Sequence, residues 1–309
     1  MSRRLLPVNG KFNILIIVDA YGWAWDIASR QMLSHLPEGY SGAIVNYWDL
    51  FNKVRVTPQD WDVVLVYTYR NDMVLAVMDP RNTIICIESD PSTVEMYLKP
   101  LYDRFKHLAG MNGKVAYHLM NMYPDGGPQI HILNHGVDTD LFHPPENPPE
   151  RFAVGWVGRA DRPSKRFTLA DQAMKQVDVE WRPLKGLKDE SYIPHELMPA
   201  YYRSLSALLV TSLVEVRPLV VMEAMASGVI PVTTRVGDVE EYIHHNVNGV
   251  YLPYDLDIGI IYGALTRLSG SKRYQIMRRN ARRTAEKKLS WGTVIPSWIK
   301  VLNEVTSSE

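Results

Sequence analysis

Two carboxylates, Glu215 and Glu223, stand eight positions apart on either side of Pro218, and earlier in the chain Arg159 and Lys165 supply two cations six positions apart. Glu215 follows an apolar strand-like run. Glu223 falls inside a helix that Pro218 can open at its first position. Two acids therefore flank a helix N-terminus, where free amide N–H groups favour anions such as phosphate. Carboxylates in turn accept hydrogen bonds from hydroxyls. A ligand that combines phosphates with several hydroxyls, such as a nucleotide sugar, suits this layout.

Positioning such groups needs a scaffold, and the hydropathy pattern supplies one. Short apolar runs recur at Asn13 to Val18, Gly42 to Tyr47, Val63 to Tyr67, Thr83 to Ile87 and Ile130 to Leu133, separated by helix-length amphipathic segments. A second series restarts near residue 150: Phe152 to Val157, Val177 to Arg182, Ala207 to Thr211, Ile230 to Thr234 and Gly249 to Leu252. Alternation of this kind predicts parallel strands with crossover helices. Between the series lies His143-Pro-Pro-Glu-Asn-Pro-Pro-Glu150, whose four prolines forbid helix, as a stiff interdomain linker would. The expected domains are 1–145, 146–290 and a C-terminal helix in 291–309. Open parallel sheets bind ligands outside their strands' carboxyl ends, so a cleft between the two halves is the expected site.

Composition narrows the classes further. The 309 residues are enough for two ordinary domains. Lys plus Arg and Asp plus Glu both number 34, so no net charge drives the chain toward nucleic acid or anionic lipid. The single cysteine, Cys86, cannot form an internal disulfide and sits in an apolar run, which suits a reducing cytoplasm. Arg3, Arg4 and Lys11 precede an apolar run that ends at Asp19, too short for a signal-peptide core or a membrane span. The basic run Lys272 to Lys288 spreads its cations around a helix, which predicts a solvated face and leaves a weak peripheral membrane contact open.

The segments Leu133-Asn-His-Gly-Val-Asp-Thr-Asp-Leu-Phe-His-Pro144, Val154-Gly-Trp-Val-Gly-Arg159 with Lys165, and Glu215 to Val232 resemble signatures of retaining glycosyltransferases of family 4 (glycosyl transferases group 1). So do Arg235-Val-Gly-Asp-Val-Glu-Glu-Tyr242, Asn248-Gly-Val-Tyr-Leu-Pro253 and Leu289-Ser-Trp-Gly-Thr-Val294. They occur in the family's order over residues 130 to 300. The resemblance implies the GT-B fold: two Rossmann-like, doubly wound parallel-sheet domains facing across a cleft, with a C-terminal helix crossing back to the N-terminal domain.

It also implies roles. Arg159 and Lys165 match residues that hold the donor diphosphate and stabilise it as it leaves, and an Arg fork with a Lys point charge can offset that growing charge. The bland alternative is a solvated loop with ordinary surface cations. Glu223 matches the glutamate that binds ribose hydroxyls, and Glu215 the one beside the donor sugar. Gly158, Pro218 and Leu219 fall on the same donor-binding motifs. The common family form has a glycine and an aromatic after the first glutamate, whereas this chain has Val216 and Arg217, and Pro218 lacks an amide N–H to offer. Arg217 can reach a phosphate or an acidic sugar, or can pair with a nearby acid as a surface cation.

On the N-terminal side, Asp19-Ala-Tyr-Gly-Trp-Ala-Trp-Asp26 occupies the place of a Gly-rich turn, and Gly22 would allow close approach of a phosphate or acceptor. Tyr21, Trp23 and Trp25 can stack on a sugar or a base, or pack in the core. Where relatives carry a histidine after the fourth strand, this chain reads Cys86-Ile-Glu-Ser-Asp-Pro91, so Glu88 or Asp90 orients an acceptor hydroxyl or caps the next helix. Asp138 and Asp140 read as turn and cap residues, and His107 and His118 as members of a helical segment.

The expected protein is a cytoplasmic, metal-independent hexosyltransferase with no bound cofactor. It would move a sugar from a UDP- or GDP-sugar, with retention, to a hydroxyl acceptor. That acceptor could be a glycan, a lipid-linked glycan, a protein or a modified nucleic-acid base. A nucleotide-sugar epimerase and a catalytically inactive nucleotide-sugar-binding protein are the alternatives.

Overall fold

In the computed structural model, residues 3–7, 10–89, 95–122, 126–186 and 189–307 are described. The chain forms two compact units: Met1–Gly136 with Val294–Glu309, and Val137–Thr293.

The first unit is built on six parallel strands, β2 (Phe12–Val18), β3 (Tyr40–Asn46), β5 (Val63–Val66), β6 (Thr83–Ile87), β7 (His107–Gly110) and β8 (Gln129–Ile132). They lie in the order β3-β2-β5-β6-β7-β8, and a separate ladder pairs β1 (Arg3–Arg4) with β4 (Val54–Arg55). Ile14 to Val18, Val63 to Val66 and Ile84 to Ile87 are all buried, as near-continuous apolar runs must be in a parallel sheet covered on both faces. The chain runs outward from β2 to β3 and then returns to β5, so the strand order switches beside β2.

The connecting helices are α1 (Ala24–His35), α2 (Tyr47–Asn52), α3 (Asp72–Ala76), α4 (Glu95–Arg104) and α5 (Gly113–Met122), and α2, α3 and α5 start at asparagine caps. Asn46 accepts from the Asp49 amide at 2.7 Å, Asn71 from Val74 at 3.2 Å, and Asn112 from Val115 at 2.7 Å. His107, expected in a helix, lies instead on β7, a buried strand only four residues long. That run is too short to show a period, and the flanking Lys106 and the terminal Gly110 dilute the apolar signal. His118 does fall in α5.

Helix α11 (Trp291–Thr306) contributes Val294 onward to this first unit. Trp298 and Leu302 are fully buried, the Trp298 indole N–H donates to the Asn134 carbonyl at 2.8 Å, and the Tyr40 hydroxyl donates to Asn303 at 3.0 Å.

The second unit carries five parallel strands, β9 (Ala153–Val157), β10 (Glu180–Leu184), β11 (Ala207–Val210), β12 (Ile230–Thr234) and β13 (Val250–Leu252), ordered β10-β9-β11-β12-β13. Strand β11 shows how its two cores are fed. Ala207 and Leu209 join Trp156, Val232 and Leu265 in one cluster, and Leu208 and Val210 join Tyr202, Met222 and Met225 in the other. Helices α6 (Phe167–Met174), α7 (Met198–Arg203), α8 (Leu219–Ala226), α9 (Ile258–Ser269) and α10 (Tyr274–Thr284) complete the layers.

The proline-rich stretch 143–150 falls inside this second unit, since the chain passes between units at Gly136 and Val137. The basic helix α10 is not simply a solvated face. Arg278 is buried and donates to the Gly228 carbonyl at 2.9 Å, while one Arg282 nitrogen donates to the carbonyls of Thr139, Phe142 and Ala226. These two cations are thus spent on backbone carbonyls rather than on solvent.

Candidate active site

At the carboxyl end of β11 the chain continues as Thr211-Ser212, and a set of hydrogen bonds fastens the 163–166 turn to it. The Thr211 hydroxyl donates to the Lys165 carbonyl at 2.7 Å, Leu213 N donates to the Ser164 carbonyl at 2.7 Å, and Arg166 Nε donates to the Thr211 carbonyl at 2.6 Å. Arg166 sits in the left-handed region (φ 50°), where its side chain can also reach the Tyr254 carbonyl at 2.9 Å. The result brings the Lys165 ammonium onto the Glu215 carboxylate, and the Ser212 hydroxyl donates to the same oxygen at 2.6 Å. Both charged groups are largely but not wholly buried. A partly desolvated Lys held beside a carboxylate is a fixed positive end that an incoming phosphate can share.

Arg159 follows β9 through Gly158, whose amide donates to the Leu184 carbonyl at 3.0 Å. Its guanidinium grips Asp161 at 2.5 and 3.0 Å in an exposed pair. Exposed pairs of this type contribute little and exchange readily. The structure therefore joins Lys165 to Glu215 and turns Arg159 toward Asp161.

Helix α8 begins at Leu219, with Pro218 one place before it rather than at its first position; the Pro218 carbonyl accepts from the Val221 amide at 3.0 Å. Glu223 lies one turn into this helix and is buried. His195 Nε2 lies 3.1 Å from one of its oxygens, and the Tyr202 hydroxyl donates to the other at 2.9 Å. A carboxylate offers about four lone-pair positions, so two remain for ligand hydroxyls. Burial alone would lower the His195 imidazole, but the Glu223 carboxylate beside it outweighs this and raises it above its ordinary value. Sequence reasoning passed over His195 and Tyr202. The available signal was the pairing of a lone histidine and a tyrosine around α7, which is uninformative until the fold lays them on α8.

Arg217 is not a surface cation. It is buried in an ion pair with Asp238, which is itself fully buried, and the Tyr242 hydroxyl donates to Asp238 at 3.4 Å. Burial pushes the Asp238 carboxyl up to about 6, against the opposing pull of Arg217.

In the first unit, the turn after β2 places Gly22 at φ 75°, and its amide donates to Asp26 in the first turn of α1 at 2.8 Å. Tyr21 is exposed and its hydroxyl accepts from the Asn46 amide at 3.3 Å. Trp23 occupies the N-cap position of α1 without a side-chain cap. Trp25 is stacked on Tyr67 at 5.4 Å and lies 5.3 Å from His135.

Glu88 follows β6, and one of its oxygens is buried with no hydrogen-bond partner among the described residues. Burial, reinforced by the nearby Asp19 carboxylate and only partly opposed by Arg70, raises the Glu88 carboxyl well above its ordinary range. Asp90 lies outside the described residues.

Asp138 accepts from the amides of Asp140 and Leu141 at 3.0 and 2.9 Å, so it caps a turn. Among the described residues, no cluster of three or more His, Cys, Asp or Glu side chains could hold a metal ion. No described helix is long and apolar enough to cross a membrane.

Residues 186–284 match the model of the family described as Glycosyl transferases group 1. A sucrose-phosphate synthase from Thermosynechococcus elongatus superposes with a TM-score of 0.76 at 14% identity, over 96% of this chain and all of that one. The fold is GT-B. Anabaena Alr3699/HepE, solved in complex with UDP-glucose, superposes with a TM-score of 0.73 at 13% identity, over 94% of this GT-B chain and 99% of that one. A glycosyltransferase from Rickettsia africae gives 0.68 at 12% identity, over 98% of this chain and all of that one. No curated protein matches the chain.

Proposed function

We propose that this chain is a retaining glycosyltransferase of family 4 that uses a nucleotide diphosphate sugar and a hydroxyl acceptor. The observation that carries the reading is the Lys165–Glu215 pair at the carboxyl end of β11, held by Thr211, Arg166 and Ser212 a few residues before helix α8 and Glu223. In this reading Glu223 binds the ribose hydroxyls through the lone pairs that His195 and Tyr202 leave open. The donor diphosphate settles against Lys165, and Arg159 leaves its weak exposed pair with Asp161 to join it.

As the bond from the anomeric carbon to the diphosphate oxygen breaks, charge grows on that oxygen, and the two cations stabilise it without a metal. The acceptor oxygen forms the new bond on the same face, and its proton passes to the departing diphosphate. Glu88 and the Tyr21–Trp23 turn form the acceptor side. The family match over residues 186–284 and a structural neighbour solved with UDP-glucose make UDP-glucose the first donor to try. The protein acts in the cytoplasm.

Lys165→Ala is the direct test. It should abolish sugar transfer, by about 100-fold or more, with an unchanged far-ultraviolet spectrum. Near-normal transfer by that variant would overturn the assignment of Lys165 to the diphosphate.

A further inference from the structure

We infer that the buried Arg217–Asp238 pair is a positioning device that sets the grip of the donor site on the sugar without touching the ligand. The inference rests on the donor-site reading above. Two loops meet here: Glu215 to Pro218 after β11, and Arg235 to Asp238 after β12. Gly237, at φ 58°, lies so close to the first loop that a Cβ added there would stand 2.4 Å from the Val216 carbonyl oxygen and 3.2 Å from that of Glu215. Only glycine allows this approach.

One residue along, Asp238 takes the Arg217 guanidinium, with Tyr242 donating to its other oxygen. The short turn that carries Glu215 is thus held on two sides. Lys165 and Ser212 fix the Glu215 carboxylate, while Gly237 and the Arg217–Asp238 pair fix the backbone that follows it.

A guanidinium committed to a buried carboxylate makes a poor ligand for phosphate, since leaving would strand Asp238 in the interior. Its place in the sequence, two residues after Glu215, is where a direct donor contact was expected. The fold uses it from behind. Loss of the pair should therefore let the turn drift and weaken contacts to the sugar, while leaving the Glu223 pocket and nucleotide affinity intact.

Calorimetric binding of UDP, UDP-glucose, GDP and GDP-mannose to the full chain reads this directly. Arg217→Met alone should lower the melting temperature by leaving Asp238 buried and uncompensated. The double variant Arg217→Met with Asp238→Leu should recover it, because apolar replacement of a whole buried pair is often neutral. In the double variant the ratio of sugar-nucleotide to free-nucleotide affinity should fall about tenfold, with free-nucleotide affinity unchanged. An unchanged ratio would overturn the inference alone. Loss of free-nucleotide affinity in the folded double variant would overturn it too, by making Arg217 a phosphate ligand. A wild-type chain that binds none of the four would overturn the donor-site reading beneath it.

Discussion

Glu223 and His195 show how one side chain can serve two masters. The carboxylate is buried, and burial of an anion is tolerated only with donors aimed at it; His195 and Tyr202 provide them. Replacing Glu223 with Gln keeps the shape but removes the charge. UDP affinity measured by calorimetry should then drop about 10- to 100-fold, because hydrogen bonds to a charged group contribute about 1.5–3 kcal/mol. Unaltered UDP binding would remove Glu223 from the site.

His195 adds a pH signature. Its folded-state value lies above 6.5, so the stability it contributes is fully present below that pH and is lost as pH rises through the folded value. Thermal melts from about pH 6 to about pH 9 should show this decline in the wild type and a flatter profile in His195→Gln. Equal slopes in the two proteins would place the titration elsewhere.

At the scale of elements, close approaches matter more than polar contacts. Gly110 ends β7 against α5, where an added Cβ would stand 2.4 Å from the Ala116 amide nitrogen and 2.7 Å from its Cα. Both atoms belong to a helix backbone, which cannot swing aside. Gly110→Ala should therefore destabilise the first unit by about 1–3 kcal/mol, read from the denaturation midpoint. A neutral midpoint would mean that α5 slides freely on the sheet.

The legibility of the sequence follows the same division. Buried strands such as Ile230–Thr234 and Thr83–Ile87 are evident as apolar runs, and the GT-B fold follows from their alternation together with the motif order. Strand β7 is not, because four residues carry no period. Lys165 and Glu215 are named by the family resemblance of the ordered motifs around them, but their contact depends on Thr211 and Arg166 docking two distant loops. His195 on Glu223 and Asp238 on Arg217 are long-range pairings that local spacing cannot express.

For the whole molecule, the consequential fact is that the first unit is assembled from two stretches of chain separated by the entire second unit. Its sheet is incomplete as a core until Val294 to Thr306 returns with Trp298, Leu302 and Val305, all buried. Trp298 is the anchor, since its indole donates to the Asn134 carbonyl and its ring lies 6.1 Å from His135. Trp298→Ala should cost about 3–5 kcal/mol through the cavity it leaves. If the returning segment serves the first unit alone, hydrogen exchange in that variant should accelerate in β2, β3 and β5 to β8 and stay at wild-type rates in β9 to β13. UDP affinity, assigned here to the second unit, should hold as well. Equal acceleration in both sheets would show instead that the two units unfold as one, and that the helix stabilises the chain as a whole.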